Sequence, residues 1–368
     1  MLMKLLISII IPLTILAYNI IQHPIESKCA YIYNYDFKNI NENKIDDLHK
    51  LFEEYPLLIF RNNLEYLKPT EYLKPTDFTN FLNLFDDNNE SLLIDNHIIP
   101  IGNYKVDELF NITNISVQPN KQFIDNYVWH TDLLGHPDKN PPIITGINVI
   151  DTPLLGGETE FISGEKIWSS LPDNIKLSCR NMIIKNNRMN FFFGNKIMDY
   201  SGTYTIKDTD VFFEDSDINI PIVYEAESPT QSPRILIQPS FFENIVGLSK
   251  EESQIWIKEF MIKYVLPHKF SIQWLKGDIC VFNNRRFIRS TTPARNYLDF
   301  HKGSRKLFLQ SYISTKKEMK AYKPSLLDIY VHMKNKLCIS DDISKDISDS
   351  SIIYHLRKYI QQKLNTQY

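Results

Sequence analysis

The stretch from Trp129 to Thr159, WHTDLLGHPDKNPPIITGINVIDTPLLGGET, constrains this chain more than any other. It opens with a histidine and a carboxylate one residue apart, His130 and Asp132. On a β-strand, residues i and i+2 share a face, so this imidazole and this carboxylate can grip one ion from the same side. That is two-thirds of a two-histidine, one-carboxylate triad, the arrangement that holds iron(II) with open positions. Alone, a His-x-Asp is a weak signal. Here Gly156-Gly157-Glu158-Thr159 follows it, and a further matching stretch lies near the C-terminus.

The surrounding pattern is that of strands. From residue 143 onward, β-branched and aromatic runs predict strands at Ile143–Ile150, Thr159–Ile162, Met189–Phe193, Ile220–Glu225, Arg234–Gln238, Asp278–Phe282 and Lys306–Ile313. Helical spacing interrupts them at Ser163–Leu171 and Lys250–Val265. Upstream, Ile40–Glu54 reads as a helix, Leu57–Phe60 as a short buried strand, and Leu92–Ile94 and Ile112–Val117 as further strands. A second upstream helix follows Thr76 or Asp77 as its cap, with Phe78, Phe81, Leu82 and Phe85 as its apolar stripe. Just before it the hexapeptide EYLKPT occurs twice in tandem, Glu65–Thr70 and Glu71–Thr76, and one copy reads as inserted loop. Many strands with few helices give a mainly β (α+β) chain, an antiparallel sandwich or barrel decorated outside. Beyond Tyr322 the tail turns helical, with Ile352, Ile353, Leu356, Tyr359 and Ile360 on one stripe.

A net charge of −3 over 368 residues gives no electrostatic case for nucleic acid. At the N-terminus, Lys4 precedes the apolar run Leu5–Ala17, short for a membrane span of ~20 residues. It suits a secretory signal, or a signal anchor if the helix continues through Ile20 and Ile21. We therefore expect a leader at 1–22, entry into the secretory pathway and membrane attachment through this segment. Cys29, Cys179, Cys280 and Cys338 show no zinc spacing, so sulfur ligation of a metal is not expected. Asn89, Asn111 and Asn114 head glycosylation sequons usable in that compartment.

Four pieces, spread from about Leu57 to Ile313, resemble the TauD/TfdA-type family of Fe(II)- and 2-oxoglutarate-dependent oxygenases. They are Leu57–Arg61 with Leu73–Phe78, then Trp129–Asp132, then Gly156–Thr159, and last Trp274–Arg305 with Gly277-Asp278 and Asn283-Asn284-Arg285. The resemblance implies a double-stranded β-helix, or jelly roll, with flanking helices over 40–320 and a helical C-terminal extension over 321–368. It implies Fe(2+) as cofactor, 2-oxoglutarate as cosubstrate, dioxygen, and a small-molecule substrate. His130 and Asp132 look like the first two iron ligands. Thr159 looks like the hydroxyl on the far carboxylate of 2-oxoglutarate, and Arg305 like the arginine that forks onto it, with Lys306 the second candidate one residue on. Asn126 is a candidate for substrate or cosubstrate. Taken singly, Thr159 reads as a strand residue after a Gly-Gly turn and Arg305 as a solvated arginine; the shared pattern makes them a site.

The pattern breaks at one position. The family's third ligand is a histidine in a run like DNRxxxH, and here that run is Asn283-Asn284-Arg285-Arg286-Phe287-Ile288-Arg289. Arginine has no free lone pair to donate, and its charge repels a dication. Three outcomes stay open. Arg289 pairs with Asp132 and fills the metal site; another histidine serves, His301 first, then His136 or His268; or two ligands hold iron once 2-oxoglutarate chelates it. Two functions follow: a dioxygenase on a small anionic substrate, or a catalytically inactive relative that binds a ligand or partner on the same fold. Arg285, Arg286, Arg289 and Arg295 are expected to make this end of the pocket basic.

Overall fold

The computed structural model describes residues 18–37, 40–61, 75–85, 92–93, 99–102, 129–135, 140–152, 156–187, 217–228, 231–239, 242–291, 306–315 and 317–322. In chain order the strands are β1 (Asn19–Gln22), β2 (Cys29–Tyr33), β3 (Leu57–Arg61), β4 (Leu92–Leu93), β5 (Ile99–Gly102), β6 (Ile144–Asp151), β7 (Thr159–Ser163) and β8 (Ile183–Asn187). There follow β9 (Asp217–Pro221), β10 (Val223–Tyr224), β11 (Arg234–Ile235), β12 (Phe242–Ile245), β13 (Phe270–Ile272), β14 (Ile279–Asn283), β15 (Phe287–Thr291) and β16 (Leu307–Ser314). The helices are α1 (Glu42–Glu54), α2 (Pro75–Asn83), α3 (Gly164–Ser170), α4 (Asp173–Arg180) and α5 (Lys250–Phe260).

The large sheet runs β1-β2-β3-β14-β6-β16-β4, with β5 pairing further along β16. Its pairs are antiparallel except β2 with β3. Facing it is β13-β7-β15, and two further small sheets, β12-β8-β9 and β10-β11, extend that side. This is a mainly β jelly roll with flanking helices.

Alternation along the strands sorts side chains into three apolar layers. On β14, Ile279 and Val281 turn outward under α1 and α2, joining Leu48, Leu51, Phe78, Phe81 and Leu82. Cys280 and Phe282 turn inward and meet Phe161 of β7, Phe287 of β15, Ile147 of β6 and Phe308 of β16 between the two sheets. Ile162 and Ile288 leave by the far face of β7 and β15 into the layer covered by α3 and α5. Gly146 of β6 is needed where α2 crosses: a β-carbon there would stand 2.4 Å from Leu82 Cδ1.

Several local expectations change. Helix α2 starts at Pro75, so Thr76 and Asp77 lie in its first turn and do not cap it. Proline suits that place because its missing N–H has no helical acceptor there. The helix at Lys250 opens on a capping box between Ser249 and Glu252, and at Met261–Val265 its backbone widens into a π turn. The polar run Ile183–Asn187 forms β8, a strand the residue pattern did not predict. Ile20 and Ile21 do not extend an N-terminal helix: they sit in β1, which pairs with β2, and Tyr18 before them is buried. The sheet thus takes in residues upstream of the expected boundary at Ile40. No helix among the described residues is long and apolar enough to cross a membrane. Cys29, Cys179 and Cys280 are buried free thiols. Residues 1–17, the tandem hexapeptide up to Lys74, the three sequons, the strands expected at Ile112–Val117 and Met189–Phe193, and the helical tail beyond Tyr322 lie outside the described residues.

Candidate functional site

The cup between the two sheets is apolar at one end and polar at the other. The polar end is built on β15. One edge of β15 pairs with β7, placing Arg289 opposite Phe161. The other edge takes a single bridge from His130, whose N–H donates to the Arg289 carbonyl at 2.9 Å and whose carbonyl accepts from the Arg289 N–H at 2.8 Å. His130 and Arg289 are therefore in direct register, and Asp132 follows two residues on.

The segment carrying His130 and Asp132 is pinned from several sides. Thr131 Oγ1 donates to the Phe287 carbonyl at 3.0 Å, and Gln238 Nε2 donates to the carbonyls of Thr131 (2.9 Å) and Leu134 (2.7 Å). Asn284 clamps the Asp132 backbone: its Oδ1 accepts from the Asp132 N–H at 2.9 Å and its Nδ2 donates to the Asp132 carbonyl at 3.0 Å. Leu133 then takes a left-handed backbone, φ 55°, which few non-glycine residues adopt, and turns the chain away immediately after the carboxylate.

The Asp132 carboxylate is fully engaged. Arg289 Nη2 lies 2.6 Å from Oδ1, and His130 Nε2 lies 3.5 Å from that same oxygen. Thr145 Oγ1 of β6 donates to Oδ2 at 3.1 Å. Arg289 Nη2 also reaches Gln310 Oε1 at 3.1 Å, and its guanidinium stands over the Phe282 ring, 5.7 Å from the centroid. Gln310 in turn donates to the Tyr312 hydroxyl. Burial alone would push the Asp132 carboxyl up, but Arg289 and His130 hold it well below the usual carboxylate range. Burial likewise works against the charge on Arg289, and Asp132 restores it, leaving the guanidinium above its ordinary value. Both groups are ionised, a buried pair in van der Waals and hydrogen-bond contact.

Lys306, just before β16, is buried at the same end, with Nζ 3.4 Å from the Gly157 carbonyl and 4.6 Å from the centroid of the Phe308 ring. Burial and the nearby charge of Arg289 pull its ammonium down to about 8, against the opposing pull of Glu158. Thr159 is buried on β7 and its hydroxyl accepts from Trp274 Nε1 at 2.9 Å.

The structure thus brings His130, Asp132 and Arg289 together, and gathers Thr159 and Lys306 onto the same cup. Arg305, Asn126, Arg295, His136 and His301 lie outside the described residues. His268 is not in the site; its Nε2 contacts Ser170 Oγ at 2.8 Å on α3. Arg285 and Arg286 do not make the pocket basic, as expected from sequence, because each is engaged elsewhere. Arg285 runs to Glu227 and two backbone carbonyls, and Arg286 pairs with Glu165 at 2.7 Å. Thr145, Gln310 and Tyr312 were not predicted. Two-residue alternation along β6 and β16 was the available signal, since Gln310 shares a face with Lys306 and Tyr312.

These observations meet those from known proteins. The family model described as "Taurine catabolism dioxygenase TauD, TfdA family" matches residues 23–293. The chain belongs to the TauD, TfdA family. A taurine dioxygenase from Burkholderia xenovorans shares the fold with a TM-score of 0.56 at 14% identity, over 84% of this chain and 97% of that one. AAD-2, solved in complex with Mn(II) and N-oxalylglycine, aligns with a TM-score of 0.55 at 11% identity, over 82% of this chain and 98% of that one. No curated protein matches the sequence. Enzymes of the TauD, TfdA family use Fe(II) and 2-oxoglutarate. The donor set of this member does not fit that metal. No group of three His, Cys, Asp or Glu side chains among the described residues could hold a metal ion. The Arg289 guanidinium instead occupies the carboxylate oxygen nearest His130.

Proposed function

We propose that this TauD, TfdA member binds a small carboxylate of the 2-oxo acid class without iron, the Arg289 guanidinium standing in the metal's place, and that it does not hydroxylate. The observation that carries this reading is the 2.6 Å contact between Arg289 Nη2 and Asp132 Oδ1 inside the cup. Two further features favour an anionic ligand. Arg289 Nε is buried with no hydrogen-bond partner, a donor left over after Asp132 and Gln310 are served. Lys306 adds a second buried cation at the same end, on the strand start where the family resemblance expects the far carboxylate. A guanidinium matches a carboxylate through parallel N–H groups and stays charged at any working pH.

The test is calorimetric titration of the purified full chain with 2-oxoglutarate in the presence of a chelator, alongside Mn(II) uptake followed by electron paramagnetic resonance. We expect metal-free binding of the oxo acid, no specific Mn(II) site in the native chain, and a site created by Arg289→His. A second reading, dioxygenase action on a small anionic substrate, is favoured by the retained pairing of His130 with Asp132, because withdrawal of Arg289 alone would reopen that corner. Succinate release by the native chain, dependent on iron and abolished by Asp132→Ala, would establish that reading and overturn ours.

A further inference from the structure

The cup holds a second cationic nitrogen whose setting an ion pair alone does not explain. Lys306 immediately precedes β16 and shares a face with Phe308 and Gln310 of that strand. Gln310 reaches Arg289 at 3.1 Å, and Phe308 lies in the apolar layer between the sheets, so this face looks into the cup. The lysine side chain is buried, with Nζ 4.6 Å from the Phe308 centroid and 3.4 Å from the Gly157 carbonyl. Phe308 stands against Trp274, ring centroids 5.8 Å apart, and Trp274 donates to the Thr159 hydroxyl at 2.9 Å. The ladder with β6 slips between Leu307 and Phe308, an irregularity of the kind that re-aims neighbouring side chains.

An amine in this setting is suited to attack a carbonyl carbon. Burial disfavours the ammonium, and the like charge of Arg289 adds to that, against the opposing pull of Glu158. With the group brought down to about 8, about a tenth of it is free amine at pH 7. A lysine kept only to pair with a carboxylate loses by this, since the pair needs the charge, and an arginine there would hold it at any working pH. Desolvation or a neighbouring cation is what activates lysines that form Schiff bases with carbonyl substrates, and Lys306 has both.

We propose that Lys306 is a nucleophile that captures the 2-oxo acid as an imine inside the cup. Capture in this form rests on the metal-free binding of the oxo acid proposed above. The acid lies with its remote carboxylate on Arg289 and its oxo carbon toward Lys306, the reverse of the orientation the family resemblance implies. Without a metal, no chelate fixes the oxo group beside His130 and Asp132. The Lys306 Nζ lone pair adds to the oxo carbon and the carbonyl oxygen takes up a proton, giving a carbinolamine. Protonation of that hydroxyl and its departure as water leave a protonated C=N bond. Overall, ammonium and oxo acid give iminium and one water, with no oxidation and no net proton released. Because ammonium and iminium carry the same charge, affinity still falls above about 8, while capture quickens as the ammonium loses its proton.

The experiment incubates the purified full chain with 2-oxoglutarate, a chelator and excess sodium cyanoborohydride, which reduces an iminium to a stable secondary amine, and maps the product by peptide mass spectrometry. The expected result is one modified peptide, with Lys306 heavier by the oxo acid less one oxygen atom. Its rate of formation should rise about tenfold per pH unit up to about 8 and no further, whereas labelling of an ordinary surface lysine keeps rising beyond that. Lys306→Arg keeps the charge without a primary amine and should lose the adduct. Oxo acid binding in calorimetry with no adduct at Lys306 overturns the imine and leaves metal-free binding standing. Neither binding nor adduct overturns both. Labelling spread over surface lysines, or a Lys306 adduct whose rate climbs through pH 8 without levelling, also overturns the imine. The native chain alone decides these outcomes, whether or not the variant folds.

Discussion

Removing Arg289 should expose how much the cup depends on it. In Arg289→Met the methionine fills much of the same space, but Asp132 is left as a buried carboxylate without its cation. Breaking a buried ion pair by deleting one partner costs about 3–5 kcal/mol. Both side chains are buried, 5% exposed for Asp132 and 11% for Arg289, so solvent screening gives little relief. Asp132 keeps the Thr145 hydroxyl at 3.1 Å and His130 at 3.5 Å, which favours the lower end, about 3 kcal/mol. In a chain of this size that corresponds to a melting shift of roughly 4–5 °C. Asp132→Asn added to Arg289→Met removes the orphaned charge and should recover most of the loss, giving a strongly non-additive cycle. Urea unfolding read by circular dichroism, with unchanged m-values, measures each corner. The pH dependence supplies a sign. In the native chain the folded-state pKa of Asp132 is depressed, so its contribution is present above the unfolded value of about 3.9 and fades as pH falls. In Arg289→Met the same carboxyl is buried without its cation, its folded pKa rises above the unfolded one, and stability improves as pH falls. The gap between native and variant should therefore narrow toward pH 4. A loss under about 1 kcal/mol, or additive singles, would refute the buried pair on which the metal-free reading rests.

Three further outcomes follow from other contacts. With Lys306 pulled down to about 8, 2-oxoglutarate binding in chelator should weaken as pH rises above that value, by up to about tenfold per unit, and calorimetry at several pH values that finds no such loss removes Lys306 from the ligand site. Gly146→Ala should destabilise by about 1–3 kcal/mol, because its methyl meets Leu82 at 2.4 Å under α2; trimming Leu82 to Ala in the same chain should relieve the clash in an unfolding assay. Arg61 forks onto the fully buried Asp278 at 3.0 and 2.6 Å, so Arg61→Leu should cost about 3 kcal/mol in urea unfolding, and Asp278→Asn in addition should restore part of it.

The strands were legible where alternation is backed by burial on one or both faces. Residues 144–151 and 279–283 read as strands because their β-branched and aromatic side chains fill layers on both sides of the sheet. β8 was not legible: Lys185, Asn186 and Asn187 carry no strand pattern, and pairing with β9 and β12 on both edges outweighs their weak propensity. Asn19–Gln22 misled because two isoleucines extend an apolar run, whereas in the fold they sit exposed on an edge strand held by β2. At the site, His130, Asp132 and Arg289 could be named from their motif spacing. That Arg289 pairs with Asp132 could not, because the pair depends on the bridge that puts His130 and Arg289 in register, which sequence separation does not reveal. Two-residue alternation could place Thr145 and Gln310 on the inner faces of β6 and β16, but not their contacts with Asp132 and Arg289, which come from neighbouring strands.

Arginine at position 289, where the family resemblance expects a histidine, is electrostatically self-consistent with a buried Asp132. A buried Asp132 demands a cation. Arg289 supplies one covalently attached to β15, and the Nη2 that donates to Asp132 also donates to Gln310 of β16. The guanidinium therefore ties the His130–Asp132 segment, β15 and β16 together through contacts that a bound ion would otherwise make. Arginine at this position without Gln310 would leave a donor unserved, so Gln310→Leu should weaken the cup even though it touches neither His130 nor Asp132, by about 1–3 kcal/mol. If Gln310→Leu instead unfolds at the native urea midpoint, the guanidinium is not anchored to β16 and the three-strand tie does not exist.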